Sequence, residues 1–194
     1  MRRERLAAVL AALPIVLIAA IELSAAASFR DEKQSLPGVG NFGEINPHLF
    51  RGAQPTAEGL RALAAKGVQV VVRLSLGEEG GASEAADVRA LGMEPVTLPW
   101  SVEGEPDRDE VRQFLQVVSD PRHRVVFVHC KRGADRTGVM IAMSRIAFDG
   151  WTAERAMQEM RAFHYHDLFH WHLRALVEAF PQRLKIDGAL IVEP

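Results

Sequence analysis

The chain has 194 residues, 48 % of them hydrophobic, which suits one core-bearing domain with an appendage. Its formal net charge of −2 gives nucleic acid no electrostatic footing. Its single cysteine excludes an internal disulfide framework.

Arg2, Arg3 and Arg5 precede an uncharged, mostly apolar run from Leu6 to Ile21. Glu22 interrupts it, and small residues follow as far as Ser28. A basic flank, an apolar stretch and small residues make residues 1–27 a targeting element, either a cleaved signal peptide or a retained membrane anchor. In both cases this segment contacts the membrane, and the domain is exported to the periplasm or held outside the cytoplasm. No cysteine stands near the run, so lipid attachment to one is excluded. Residues 28–40, with Arg30, Asp31, Glu32, Lys33, Pro37, Gly38 and Gly40, read as a polar linker. The folded domain is assigned to 41–182 and a C-terminal tail to 183–194.

Asn46-Pro47 breaks a short pair of alternating strands. Thr56 is placed to N-cap a helix through Lys66, stopped by Gly67. The β-branched run Val68 to Leu74 predicts a central strand. Ser83 is expected to cap a helix to Leu91. Met93 to Leu98 reads as a strand that Pro95 confines to a sheet edge. Asp107 or Asp109 opens a helix with Val111, Phe114, Leu115 and Val118 on one face. A buried strand over Val125–Val128 leads through a loop into a helix from Val139 to Phe148. Thr152 caps a further helix, and a last one is expected from about Asp167 to Phe180. Strands alternating with helices predict an α/β fold: a central, mostly parallel twisted sheet flanked by helices.

The loop His129-Cys130-Lys131-Arg132-Gly133-Ala134-Asp135-Arg136-Thr137-Gly138 carries the chemistry. A strand running into a helix N-terminus aims successive backbone N–H groups at one point, where a phosphate fits. A cysteine there faces the positive helix end and the Arg136 guanidinium, which favours its thiolate. Cys130 is the expected nucleophile and Arg136 the fork that binds two phosphoryl oxygens at once. Lys131, Arg132, Gly133, Ala134 and Asp135 supply the cradling amides. Gly133 allows a close approach or a positive φ. Thr137 is expected to donate its hydroxyl to the sulfur, and His129 to hydrogen-bond backbone near Cys130. No metal or cofactor is needed for these steps. Read separately, a cysteine after an apolar strand is a common core residue; the joint spacing is what points to catalysis.

The segment resembles the His-Cys-x5-Arg-Thr/Ser signature of cysteine-dependent protein tyrosine and dual-specificity phosphatases, in particular an atypical bacterial branch. The likeness extends to Asn41 through Pro55, with its Arg51-Gly52-Ala53-Gln54-Pro55 turn, to Val68–Leu74 and to Gly150-Trp151. The resemblance implies the α/β fold of that family and hydrolysis of phosphate monoesters through a phosphocysteine. The substrates implied are phosphorylated proteins first, then phosphoinositides or inositol (pyro)phosphates. Lys131 and Arg132 at the rim suit such polyanions, or simply improve the field for any phosphate.

The resemblance also implies a general acid from the loop after the strand Met93–Leu98. No aspartate stands early in Pro99–Asp107, so Glu103, Glu105 and Asp107 are the candidates, with Asp107 also suited to a helix cap. Asp135, inside the signature loop, is a fourth. His164, His166, His170 and His172 crowd one stretch. His166 and His170 would share a helix face, a spacing that serves zinc when a third ligand arrives. With Tyr165 and Trp171 interleaved, packing between the last helices is the favoured reading. A phosphate-binding module without turnover and a sulfur transferase are the alternatives from other classes.

Overall fold

The computed structural model describes residues 33–76, 81–120, 122, 124–166 and 168–190. The targeting element expected over 1–27 lies outside the described residues. Among the described residues no helix is long and apolar enough to cross a membrane.

The chain runs β1 (Gly43–Asn46), β2 (Leu49–Ala53), α1 (Ala57–Ala65), β3 (Val70–Leu74), α2 (Gly81–Ala90) and β4 (Glu94–Leu98). It continues as α3 (Arg108–Val118), β5 (Val126–Cys130), α4 (Asp135–Phe148), α5 (Ala153–Ala162), α6 (Trp171–Ile186) and a short 3-10 turn, Gly188–Leu190. The five strands form one sheet in the order β1-β2-β5-β3-β4. Only the β1–β2 pair is antiparallel, so the expected mostly parallel α/β architecture is present. β4, with Pro95, takes the edge, where a missing N–H costs no ladder bond.

Alternation along the strands sorts residues to two faces. Val70, Val72 and Leu74 of β3 and Val126, Val128 and Cys130 of β5 join the core under α3, α4, α5 and α6. Val71 and Phe127 join a second core with Leu60, Leu63 and Val88 under α1 and α2. By the same alternation Cys130 and His129 lie on opposite faces. His129 therefore faces α2, and its ring stacks on Phe127 at 5.6 Å between centroids. The helix α4 is buried almost all round, from Asp135 to Ile146, as a central helix that carries no solvent face.

The predicted caps are seen at Thr56, whose side chain accepts from Gly59 N–H, and at Thr152, which accepts from Arg155 N–H. Other boundaries differ. Ser83 is not a cap, because α2 already starts at Gly81. β3 starts at Val70; Gln69 N–H and Val70 N–H both turn to Val125 O, delaying regular pairing. The helix after the signature begins at Asp135 rather than Val139, so the signature loop and the first helical turn overlap. The last helix starts at Trp171, because His170 is held in a turn by Tyr165 Oη donating to its carbonyl. It then continues through Pro181 to Ile186.

The expected linker and tail are partly built into the fold. Val39 is buried, Lys33 bridges to Gly43, and Gly38 packs on α1. A Cβ on Gly38 would stand 2.3 Å from Gly59 N, so this crossing is open only to two glycines. At the other end Leu190 is buried in the main core.

Candidate active site

β5 ends at Cys130 in the middle of the sheet, and the loop that follows turns back into α4. Gly133 makes that turn possible: its φ is +66°, and a Cβ would sit 2.3 Å from the Gly52 carbonyl carbon. Only glycine meets both conditions. The loop is also held from behind. Gly133 O accepts from Asn41 Nδ2 at 2.9 Å and from the buried Arg51 Nη2 at 3.1 Å. Asn41 Nδ2 also reaches Phe163 O at 3.0 Å. Arg51 is 0 % exposed and lies 3.9 Å over the Phe163 ring, with Glu159 beside it. Tying the carbonyl backward fixes the peptide planes of a turn that would otherwise be soft. Ala134, the N-cap of α4, makes no side-chain cap bond.

In front of the loop is a cavity of about 540 Å³ lined by Cys130, Lys131 and Arg136 together with Gln54, Arg73, Ser75, Ser101, Glu103 and His129. Cys130, Arg136 and Lys131, the expected nucleophile, fork and one of two expected rim cations, are thus brought to one space. Cys130 is 4 % exposed and is a free thiol at the floor. Arg136 Nη1 donates to Trp100 O at 3.3 Å, which holds its guanidinium beside the loop after β4. That loop is closed on itself by Trp100 Nε1 donating to Gly104 O at 3.0 Å, and His172 Nε2 donates to Val102 O at 3.0 Å.

Several expectations change. Arg132 is not among the lining residues; its side chain is 64 % exposed and lies 3.7 Å from Asp135. Thr137 Oγ1 is buried and has no hydrogen-bond partner, so the expected donation to the Cys130 sulfur is not made. His129 does not bond backbone near Cys130; its Nε2 meets Glu84 Oε1 at 2.9 Å, because strand alternation turns it toward α2. Of the four proton-donor candidates, Glu103 alone lines the cavity, with Ser101 Oγ donating to its carboxylate. Glu105 pairs with Arg183 at 3.3 Å. Asp107 caps α3 in a capping box with Glu110. Asp135 faces away, accepting from His166 N–H at 3.2 Å, with His166 Nδ1 at 3.4 Å and His170 Nε2 at 4.0 Å. The histidine stretch thus serves as a brace between the last helices and the signature loop.

Four of these lining residues, Gln54, Arg73, Ser75 and Ser101, were not singled out from sequence as site residues. Arg73 had a signal: a charge inside the otherwise apolar β3 is buried and demands an anion. Gln54 closes the β2 turn, its backbone N–H donating to Lys131 O at 3.4 Å. Ser75 had none. Glu84, just behind the cavity, had none either, since α2 shows no clear apolar face. Burial raises the Glu84 carboxyl, but the His129 hydrogen bond and charge, the Gln54 amide and the Arg73 charge outweigh it and leave the group below its ordinary value.

A family model described as a DSP-PTPase phosphatase fused to NAD+ kinase matches residues 39–169. The chain is 31 % identical over 121 residues to the dual specificity protein phosphatase TpbA of Pseudomonas aeruginosa, covering 62 % of this chain and 53 % of that protein. It thus spans about half the length of that curated relative. The crystal structure of P. aeruginosa TpbA superposes with a TM-score of 0.62 at 27 % identity, covering 81 % of this chain and 92 % of that one. An inositol diphosphatase, DSP2 of Oryza sativa subsp. japonica, is 27 % identical over 130 residues, covering 63 % of this chain and 61 % of that protein.

Proposed function

The chain belongs to the DSP-PTPase phosphatase family, and we propose that it hydrolyses phosphate monoesters through a phosphocysteine intermediate. The observation that carries this is the meeting of Cys130 and Arg136 in one cavity at the mouth of a strand-to-helix loop. The Cys130 thiolate attacks phosphorus, a sulfur–phosphorus bond forms, and the ester oxygen–phosphorus bond breaks. Arg136 and the loop amides hold the equatorial oxygens while charge builds on them. Glu103 gives its proton to the leaving oxygen, then as carboxylate takes a proton from the water that attacks the phosphocysteine. Inorganic phosphate leaves and the thiolate is restored.

The first substrates are phosphotyrosine-like proteins. A second reading, toward phosphoinositides or inositol (pyro)phosphates, is supported by Arg73 and Lys131 in the same cavity as Arg136, which together suit a polyanion. The basic and apolar pattern of residues 2–28 supports a domain exported from the cytoplasm. Fractionation of cells, with the mass of the mature protein, tests that placement.

Hydrolysis of para-nitrophenyl phosphate by the wild-type chain, lost in Cys130→Ser, tests the activity. A folded wild-type protein that binds phosphate without turnover identifies a binding module instead. The Cys130→Ser variant, incubated with a phosphotyrosine peptide and an inositol polyphosphate and analysed by native mass spectrometry, separates the two substrate classes.

A further inference from the structure

Glu84 holds two groups of the active site at once. It projects from α2 on the same inward face as Val88, four residues on, and is 8 % exposed. Its Oε1 is 2.9 Å from His129 Nε2, and its Oε2 accepts from Gln54 Nε2 at 2.9 Å. His129 directly precedes the nucleophile, and Gln54 lines the cavity while its backbone N–H reaches Lys131 O. We infer that Glu84 is a positioning residue for the nucleophile, acting through His129 and Gln54. This rests on the phosphatase reading above for its catalytic consequence, though not for its geometry.

The chemistry follows from donor and acceptor count. A carboxylate only accepts, so it requires the His129 proton on Nε2 and an N–H of Gln54 on its other oxygen. His129 Nδ1 is buried and meets no hydrogen-bond partner. The opposite tautomer would set a nitrogen lone pair against the carboxylate and bury an N–H without an acceptor, two costs at once. Glu84 therefore selects one tautomer and one ring orientation in the residue beside Cys130. Arg73, paired in register with His129 across β3 and β5, adds a positive charge on the same side. An isosteric amide at position 84 brings an N–H as well as an oxygen, so it can accept from the His129 ring or donate to it and no longer selects one tautomer.

The test uses the full chain as wild type, Glu84→Gln and Glu84→Ala. Three readouts are taken: kcat and KM for para-nitrophenyl phosphate, the ring nitrogen shifts of His129 by NMR, and the pH profile of Cys130 alkylation by iodoacetamide. Expected are a kcat lower by on the order of tenfold with KM within about twofold, the scale seen when a group acts by orienting another. The NMR shifts should report Nε2–H in the wild type and lose that pattern in Glu84→Gln, and the alkylation profile should move. A folded Glu84→Gln protein with the wild-type tautomer and an unchanged alkylation profile overturns the inference, even where Glu84→Ala does not fold. If the wild type has no turnover, the phosphatase reading fails, and the NMR and alkylation results still decide the role of Glu84.

Discussion

Arg51 Nη2 donates to the backbone oxygen of Gly133 at 3.1 Å, joining β2 to the back of the signature loop across 82 positions of sequence. The guanidinium is wholly buried against the Phe163 ring and Glu159, which in turn accepts from Arg145 Nη2 at 3.0 Å. A buried charge network of this kind stabilises little in net terms, but breaking it is costly, because a charge is then left without its partner. Arg51→Met should destabilise by about 3 kcal/mol or more. Urea denaturation followed by tryptophan fluorescence measures this, and a loss below about 1 kcal/mol would contradict a buried, coupled role.

Gly133→Ala faces two penalties, a left-handed backbone and a collision with Gly52. The strain alone is about 1–3 kcal/mol, and the overlap adds to it. The expected outcome is a lower melting temperature together with weaker phosphate binding. Isothermal titration with inorganic phosphate at a temperature where the variant is folded separates the two.

Arg136→Lys keeps the charge and loses the planar fork. Its kcat/KM for para-nitrophenyl phosphate should fall about 100-fold, the scale of one lost oxyanion donor. Its melting temperature should hardly move, since this side chain is anchored by a long hydrogen bond to Trp100 O at 3.3 Å. Steady-state kinetics with a thermal melt checks both.

Glu103→Gln removes the proposed proton donor while leaving Cys130 and Arg136 in place. Turnover of alkyl phosphates should fall by about 100-fold, and that of para-nitrophenyl phosphate by much less, because a good leaving group needs little protonation. Equal losses on both substrates would assign Glu103 to binding instead.

Glu84 also gives the fold a pH dependence of known sign. Its carboxyl lies below the ordinary value of 4.5 in the folded chain, so the unfolded chain binds the proton more tightly. The stability it contributes is complete above that ordinary value and is lost as pH falls from there through the folded value. Denaturation midpoints taken from about pH 6 down to about pH 3 should fall with a shallower slope in Glu84→Gln than in the wild type.

Much of the site is legible in the sequence because its parts are close along the chain. Cys130 and Arg136 sit six positions apart on one loop, and strand and helix periods on either side dictate which way that loop turns. The same local rules gave the caps at Thr56, Asp107 and Thr152 and the edge position of β4. The hydrogen bond expected of Thr137 is not made, because packing and not place in a motif decides which groups come within reach of its buried Oγ1.

By itself the sequence determined the chemistry of the loop: a thiol, a guanidinium and a glycine turn between a buried strand and a buried helix. Tertiary structure decided the company they keep. Glu103 entered the cavity while Asp135 turned to His166, Glu84 met His129 across 45 positions, and Arg51 and Asn41 closed on Gly133 from behind. The reason is physical. Dihedral preferences and side-chain periods act between neighbours, whereas a pairing between distant polar groups depends on which faces meet once the sheet is covered, and each buried polar group then takes the partner within reach.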